Sequence, residues 1–146
     1  MAHGHPALPE MLKGIDLFAE LPDEVILELV EAGSTIRTPG GHAVVRQGES
    51  DSGLQVVLEG TATVDVGGVR RDGTLGPGDY FGEISVIDGG SRSATITAGE
   101  DGLETFAVSP LTFWPLIDRH ASLRRCLMKA LCARIRALDV EASATC

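Results

Sequence analysis

Phe81-Gly82-Glu83-Ile84-Ser85-Val86-Ile87-Asp88-Gly89-Gly90-Ser91-Arg92-Ser93-Ala94-Thr95 is the stretch on which the reading of this chain turns. A glycine stands beside a carboxylate, a short apolar turn runs into two glycines, and an arginine follows among small residues. Each part suits a small phosphate-containing ligand. Gly82 has no Cβ to keep a ligand from the backbone. Glu83 to Ile87 can form a turn or so of helix, whose free N–H groups attract an anion. Arg92 offers a planar, permanently charged fork for two phosphate oxygens, and Glu83 can accept hydrogen bonds from sugar hydroxyls. By spacing alone a second reading stays open: a helical turn between two strands, with Arg92 in a surface ion pair.

On either side the chain has a β texture. Between Ser34 and Val108, short runs such as Thr35-Ile36-Arg37, His42 to Arg46, Leu54 to Leu58 and Thr61 to Val66 alternate with turns rich in glycine. Val69-Arg70-Arg71, Ala94 to Ala98 and Leu103 to Val108 complete seven or eight strands, with breaks read at Glu59-Gly60 and after Ala98. Regular short strands predict an antiparallel sandwich or barrel. No helix-length segments separate them, which disfavours a parallel α/β sheet.

Helices flank this section. Residues 9–20 carry apolar residues at 11, 12, 15 and 18, a helical spacing. A second helix restarts at Leu21-Pro22-Asp23-Glu24 and stops at Gly33. After residue 108, Ser109-Pro110 reads as an N-cap with proline at the first helical position. Leu123, Leu127, Leu131, Ile135 and Leu138 then form one apolar seam on a long helix from about 120 to 140. Six of the twelve basic residues lie here (Arg119, Arg124, Arg125, Lys129, Arg134 and Arg136), most simply as the solvated face opposite that seam. Residues 141–146 read as a frayed tail.

With 146 residues, the chain reads as a single domain: residues 1–33 helical, 34–108 the β section, 109–140 the closing helices. A net charge of -9 argues against an extended nucleic-acid groove, though not against one local anion site. No stretch has the apolar length to span a bilayer, and the amino terminus lacks the pattern of a secretory signal. Three cysteines without framework spacing suggest reduced thiols and a cytoplasmic protein. Metal and catalytic alternatives find little. Of the four histidines only His42 lies in a strand-like run, while His3 and His5 at the terminus could chelate metal adventitiously. No histidine is placed in sequence to activate Ser85 or Ser93.

Phe81-Gly82-Glu83-Ile84-Ser85, with Arg92-Ser93-Ala94-Thr95 following, resembles the phosphate-binding cassette of cyclic nucleotide-binding domains. These include the regulatory subunits of cyclic-AMP-dependent kinase and the bacterial catabolite activators. Arg46-Gln47-Gly48-Glu49, Val56-Val57-Leu58-Glu59-Gly60 and Gly76-Pro77-Gly78-Asp79-Tyr80 extend the likeness, which runs from about Leu17 to Leu138. Gln55 and Ser91 depart from it, standing where the family often has tyrosine and proline.

The resemblance implies an eight-stranded antiparallel jelly roll with N-terminal helices and two C-terminal helices, a hinge and a lid. It implies that Arg92 binds the cyclic phosphate and Glu83 the ribose 2′-hydroxyl. Backbone amides of Gly82, Glu83, Ile84 and Ser85, and of Ser93 and Ala94, would complete the phosphate cradle. Ala62 and Val64 would line the base, and the last helix, from Arg134 to Leu138, would fold over it. Ser93 fits either a cyclic-AMP or a cyclic-GMP site, and cyclic AMP is the preferred ligand. Neither catalysis nor a metal or other cofactor is expected.

Three functions follow from these features. The first is a ligand-sensing module, with a homodimer or an effector domain engaged through the last helix. The second is the ligand-binding half of a catabolite-activator-type regulator; because the chain stops within about ten residues of the long helix, DNA binding by this chain itself is not expected. The third is a degenerate domain without ligand.

Overall fold

The computed structural model describes residues 8–50 and 53–144, and the side chains of those up to residue 140. His3, His5 and Cys146 lie outside the described residues. Helix α1 (Leu8–Lys13) and a 3-10 turn (Asp16–Phe18) precede α2 (Asp23–Ala32). Strands β1 (Ser34–Thr38), β2 (Ala43–Val45), β3 (Leu54–Val66), β4 (Val69–Arg70) and β5 (Tyr80–Phe81) follow, then the short helix α3 (Glu83–Asp88). Strand β6 (Thr95–Val108) leads into α4 (Pro110–Arg119) and α5 (Ala121–Ala144).

All the pairings are antiparallel, and β3 and β6 form the spine of the sheet. The order is β1-β6-β3-β4; β2 also pairs with β6, and β5 with β3. Among the described residues there are six strands where eight were expected: the breaks expected at Glu59-Gly60 and after Ala98 are register shifts inside the continuous β3 and β6, and Tyr80–Phe81 adds a short strand. The register shifts between Val57 and Ala62. At the bulge, Gly60 has φ +88°, and a Cβ there would lie 2.2 Å from the Gly102 carbonyl oxygen. The ladder resumes beyond it, so a turn residue by sequence is a strand residue by hydrogen bonding.

The bulges also explain how one strand serves two cores. Before Gly60, Leu54, Val56 and Leu58 pack against the helices, while Val57 faces the other way. After it, Ala62 and Val64 share the Val57 side, so the inward set changes from odd to even numbers. Strand β6 makes the same exchange: Ile96 and Ala98 join Leu103 in that cluster, and Phe106 and Val108 meet the helices. Without the extra residues, period-2 alternation would turn half of each strand inside out. The larger cluster gathers Leu12, Phe18, Leu29, Phe106, Phe113, Leu116, Leu123 and Leu127, joining α1, α2, α4 and α5 to one face of the sheet. The smaller one, with Val45, Phe81 and Ile96, lies at the sheet's inner face.

The helices differ from the sequence reading in three places. The helix expected over 9–20 is broken at Gly14, and only a 3-10 turn continues it. Gly33 ends α2 with extended rather than left-handed backbone. The tail expected from 141 is helical through Ala144, where Glu141, Ala142 and Ala144 favour helix. Ser109 and Pro110 hold the N-cap and N1 positions of α4 as expected, without a side-chain capping bond. The apolar seam of α5 divides: Leu123 and Leu127 are buried, whereas Ile135 and Leu138 are each 59% exposed.

Candidate functional site

Helix α3 sits between two left-handed glycines. Gly82 precedes it with φ +91°, ψ 4°, and the Gly89 N–H closes it on the Ser85 carbonyl at 2.9 Å. A Cβ on Gly82 would lie 2.3 Å from the Gly53 carbonyl oxygen and 2.5 Å from Arg92 Nη1. Glycine is thus required twice at this position, once by the backbone and once by the guanidinium packed against it. That contact ties together the two ends of the stretch that spacing had suggested.

Arg92 is 4% exposed, which disposes of the reading as a surface ion pair. Its main chain is fixed from the β2–β3 connection: its N–H donates to the Glu49 carbonyl at 2.8 Å, and its carbonyl accepts from Gly48 N–H at 2.9 Å. Beside it the Gln47 N–H donates to Thr95 Oγ1, 2.9 Å, and the Ser85 hydroxyl to the Ser91 carbonyl, 3.3 Å. The Arg46-Gln47-Gly48-Glu49 run is therefore a brace for the arginine.

Glu83, also 4% exposed, is the second buried charge. Burial pushes its carboxyl above the ordinary carboxylate range. Arg134 and the backbone N–H groups of Glu83 and Ile84 pull in the opposite direction without overcoming burial. Arg134 reaches it from α5, with Nη1 at 3.2 Å from Oε1. Tyr80 nearby has its hydroxyl held above the usual range, first by burial and then by the Glu83 charge.

These groups border one cavity of about 150 Å³. Gly82, Glu83, Ile84, Ser85, Arg92, Ser93 and Ala94 form its polar end, and Val64 and Arg134 also line it. Two expected residues do not reach it. Ala62 is fully buried in the smaller core, its backbone paired with Leu75, and Leu138 stands a turn beyond Arg134 on the exposed part of α5. Val45, Leu75, Tyr80, Phe81 and Ile96 line the cavity without having been singled out. Phe81 opens the quoted stretch and Val45 and Ile96 lie in expected strands, but only the β2–β6 register brings them together. The result is a charged, hydrogen-bonding end joined to an aliphatic wall, suited to an anionic ligand with an apolar body. A wider cleft of about 540 Å³ lies across Tyr80. Its Lys129 is already paired with Glu20, at 2.9 Å, and neither Glu83 nor Arg92 faces it. The chemistry therefore belongs to the smaller cavity.

The family model of the cyclic nucleotide-binding domain matches residues 35–120, from β1 through the end of α4. The chain belongs to this family. It is 35% identical to the cyclic AMP receptor protein of Thermus thermophilus over 89% of this chain and 62% of the relative. A cyclic nucleotide-gated potassium channel of Mesorhizobium japonicum is 34% identical over 61% of this chain and 24% of the channel. Among solved structures, the catabolite activator protein of Thermus thermophilus superposes with a TM-score of 0.79 at 30% identity, covering 89% of this chain and 62% of that one. The chain thus spans between about a quarter and three fifths of these proteins. Their shared segment is a regulatory cyclic nucleotide-binding domain with a mainly antiparallel sheet and flanking helices.

Proposed function

We propose that this domain senses cyclic AMP in the cytoplasm, with α5 closing over the bound nucleotide. The convergence of Glu83, Arg92 and Arg134 on one cavity carries this reading. Arg92 takes the cyclic phosphate, assisted by backbone N–H groups of Gly82 to Ser85 and of Ser93 and Ala94. Glu83 accepts a hydrogen bond from the ribose 2′-hydroxyl. The base lies along Val45, Val64, Leu75 and Ile96. The aliphatic wall favours adenine, which lacks the N2 amino group of guanine and so leaves fewer polar groups unpaired against it. The ligand shifts α5 toward its closed arrangement to the extent that Arg134 binds that state better.

Calorimetric titration with cyclic AMP and cyclic GMP tests this reading, with tighter binding of cyclic AMP expected. Arg92→Ala should cost about 2–5 kcal/mol, because a buried phosphate would lose its charge partner. Equal affinity of the variant and the parent for cyclic AMP refutes the site. No binding of either nucleotide favours the degenerate domain.

The output runs through α5. Met128, Leu131, Ile135 and Leu138 follow the 3-4-3 spacing of a coiled-coil seam, and Met128, Ile135 and Leu138 are exposed. This stripe supports pairing with a second copy, as one part of a larger regulator. Sedimentation equilibrium should show a dimer that Ile135→Lys with Leu138→Lys reduces to monomer. An unchanged mass for that variant excludes the stripe as the interface.

A further inference from the structure

The α4–α5 elbow is fastened to α2 at one carboxylate. Glu28 of α2 accepts a hydrogen bond from Arg119 Nη2, the last residue of α4, through Oε1. Its Oε2 stands 2.9 Å from His120 Nε2. His120 is the C-cap residue of α4, with extended φ −118° and ψ 105°, so the change of direction occurs there. On the other side, Arg124 Nη1 donates to the carbonyls of Ile117 at 2.7 Å and Asp118 at 3.0 Å. Arg124 holds the two helices to each other, and Glu28 holds their junction to the body.

We infer that Glu28, remote from the cavity, is a positioning residue for the nucleotide site: by fixing the elbow it fixes where α5 delivers Arg134. The inference rests on the cavity being a cyclic nucleotide site. Arg134 lies fourteen residues beyond His120, about 21 Å along a helix. A rotation of about 10° at the elbow carries a point on that lever about 3.7 Å, more than the 3.2 Å that separates Arg134 from Glu83. The near half of α5 is packed through Leu123, Cys126 and Leu127 and tied by Lys129 to Glu20. From Cys132 to Val140 every residue is exposed, and the Arg134–Glu83 bond joins this half to the site. Small errors in aim at the elbow therefore fall on that bond.

The test is a double-mutant cycle on the full chain, with cyclic AMP titrated by calorimetry and with amide hydrogen exchange of the free protein. Glu28→Ala should weaken cyclic AMP about fivefold, the lower end of typical site-to-site couplings. In an Arg134→Ala background the same change should alter affinity less than about twofold, because the lever then has nothing to deliver. Exchange across residues 131–138 should quicken in Glu28→Ala without ligand. Glu28→Gln, which keeps the shape and removes the charge, should move both readouts in the same direction and serves if the alanine variant folds poorly. Equal losses in the two backgrounds, or unchanged exchange in 131–138, overturn the inference. If the parent binds neither cyclic AMP nor cyclic GMP, the nucleotide reading fails, and with it the affinity half of the inference. The exchange arm then still decides whether Glu28 sets the elbow.

Discussion

Replacing Gly82 with alanine separates the two demands on that residue. A side chain at positive φ costs about 1–2 kcal/mol of backbone strain. The added Cβ would also lie 2.3 Å from the Gly53 carbonyl and 2.5 Å from Arg92 Nη1, an overpacking that typically costs about 1–3 kcal/mol. Together these predict a loss of about 2–5 kcal/mol in urea denaturation. Gly89 is the internal control: it has φ +72° at the other end of α3, but nothing lies within 4 Å of a Cβ built there. Gly89→Ala should pay the backbone portion alone, about 1–2 kcal/mol. The two variants should diverge further in binding. Displacing the Arg92 guanidinium would weaken the phosphate contact proposed for it, so Gly82→Ala should weaken cyclic AMP at least tenfold, equivalent to about 1.4 kcal/mol. Gly89→Ala should bind within about twofold of the parent. Equal stability losses, or equal affinities in folded proteins, would refute the idea that Gly82 is shaped around the arginine.

Glu83 predicts a pH dependence with a definite sign. Burial raises its folded pKa above the unfolded value, so the folded state binds more protons and stability attributable to this group falls as pH rises through that window. Denaturation curves should show the advantage of the parent over Glu83→Gln shrinking from acid toward neutral pH; an advantage that grows would show that Arg134 outweighs burial. Thr105 Oγ1 donates to Gln55 Oε1 at 2.8 Å in the buried centre of the sheet. Gln55→Leu should cost about 1–3 kcal/mol by leaving that hydroxyl unpaired, whereas Gln55→Leu with Thr105→Val should recover most of the loss.

The residues that sequence read best act locally. Gly82, Glu83 and Arg92 lie within eleven positions of one another, and the motif that joins them needs no knowledge of strand register. Alternation likewise located the β runs. It could not show that Gly60 is a bulge, since positive φ serves a turn and a bulge alike, and only the partner strand distinguishes them. Ala62 shares a face with Val64, but it is buried among the smaller core and only Val64 lines the cavity, a difference that depends on the neighbours and not on alternation. The α5 seam failed differently. Leu123 and Leu138 carry the same periodic signal, and how far the body reaches along a helix is a property of its neighbours. Glu28 was silent because its partners lie about ninety residues away in the chain and nothing in its local sequence names them.

The exchange of faces along β3 and β6 has a consequence for cooperativity. Each strand contributes to the core beneath the helices at one end and to the wall of the cavity at the other, so neither core can loosen independently of a shared backbone ladder. The cavity-lining Val64 and Ile96 therefore belong to the same hydrogen-bonded unit that supports Leu54 and Val108 under the helices. The shared ladder predicts one melting unit, so occupancy of the proposed site should slow the opening of α1, α2 and α4, which do not line the cavity.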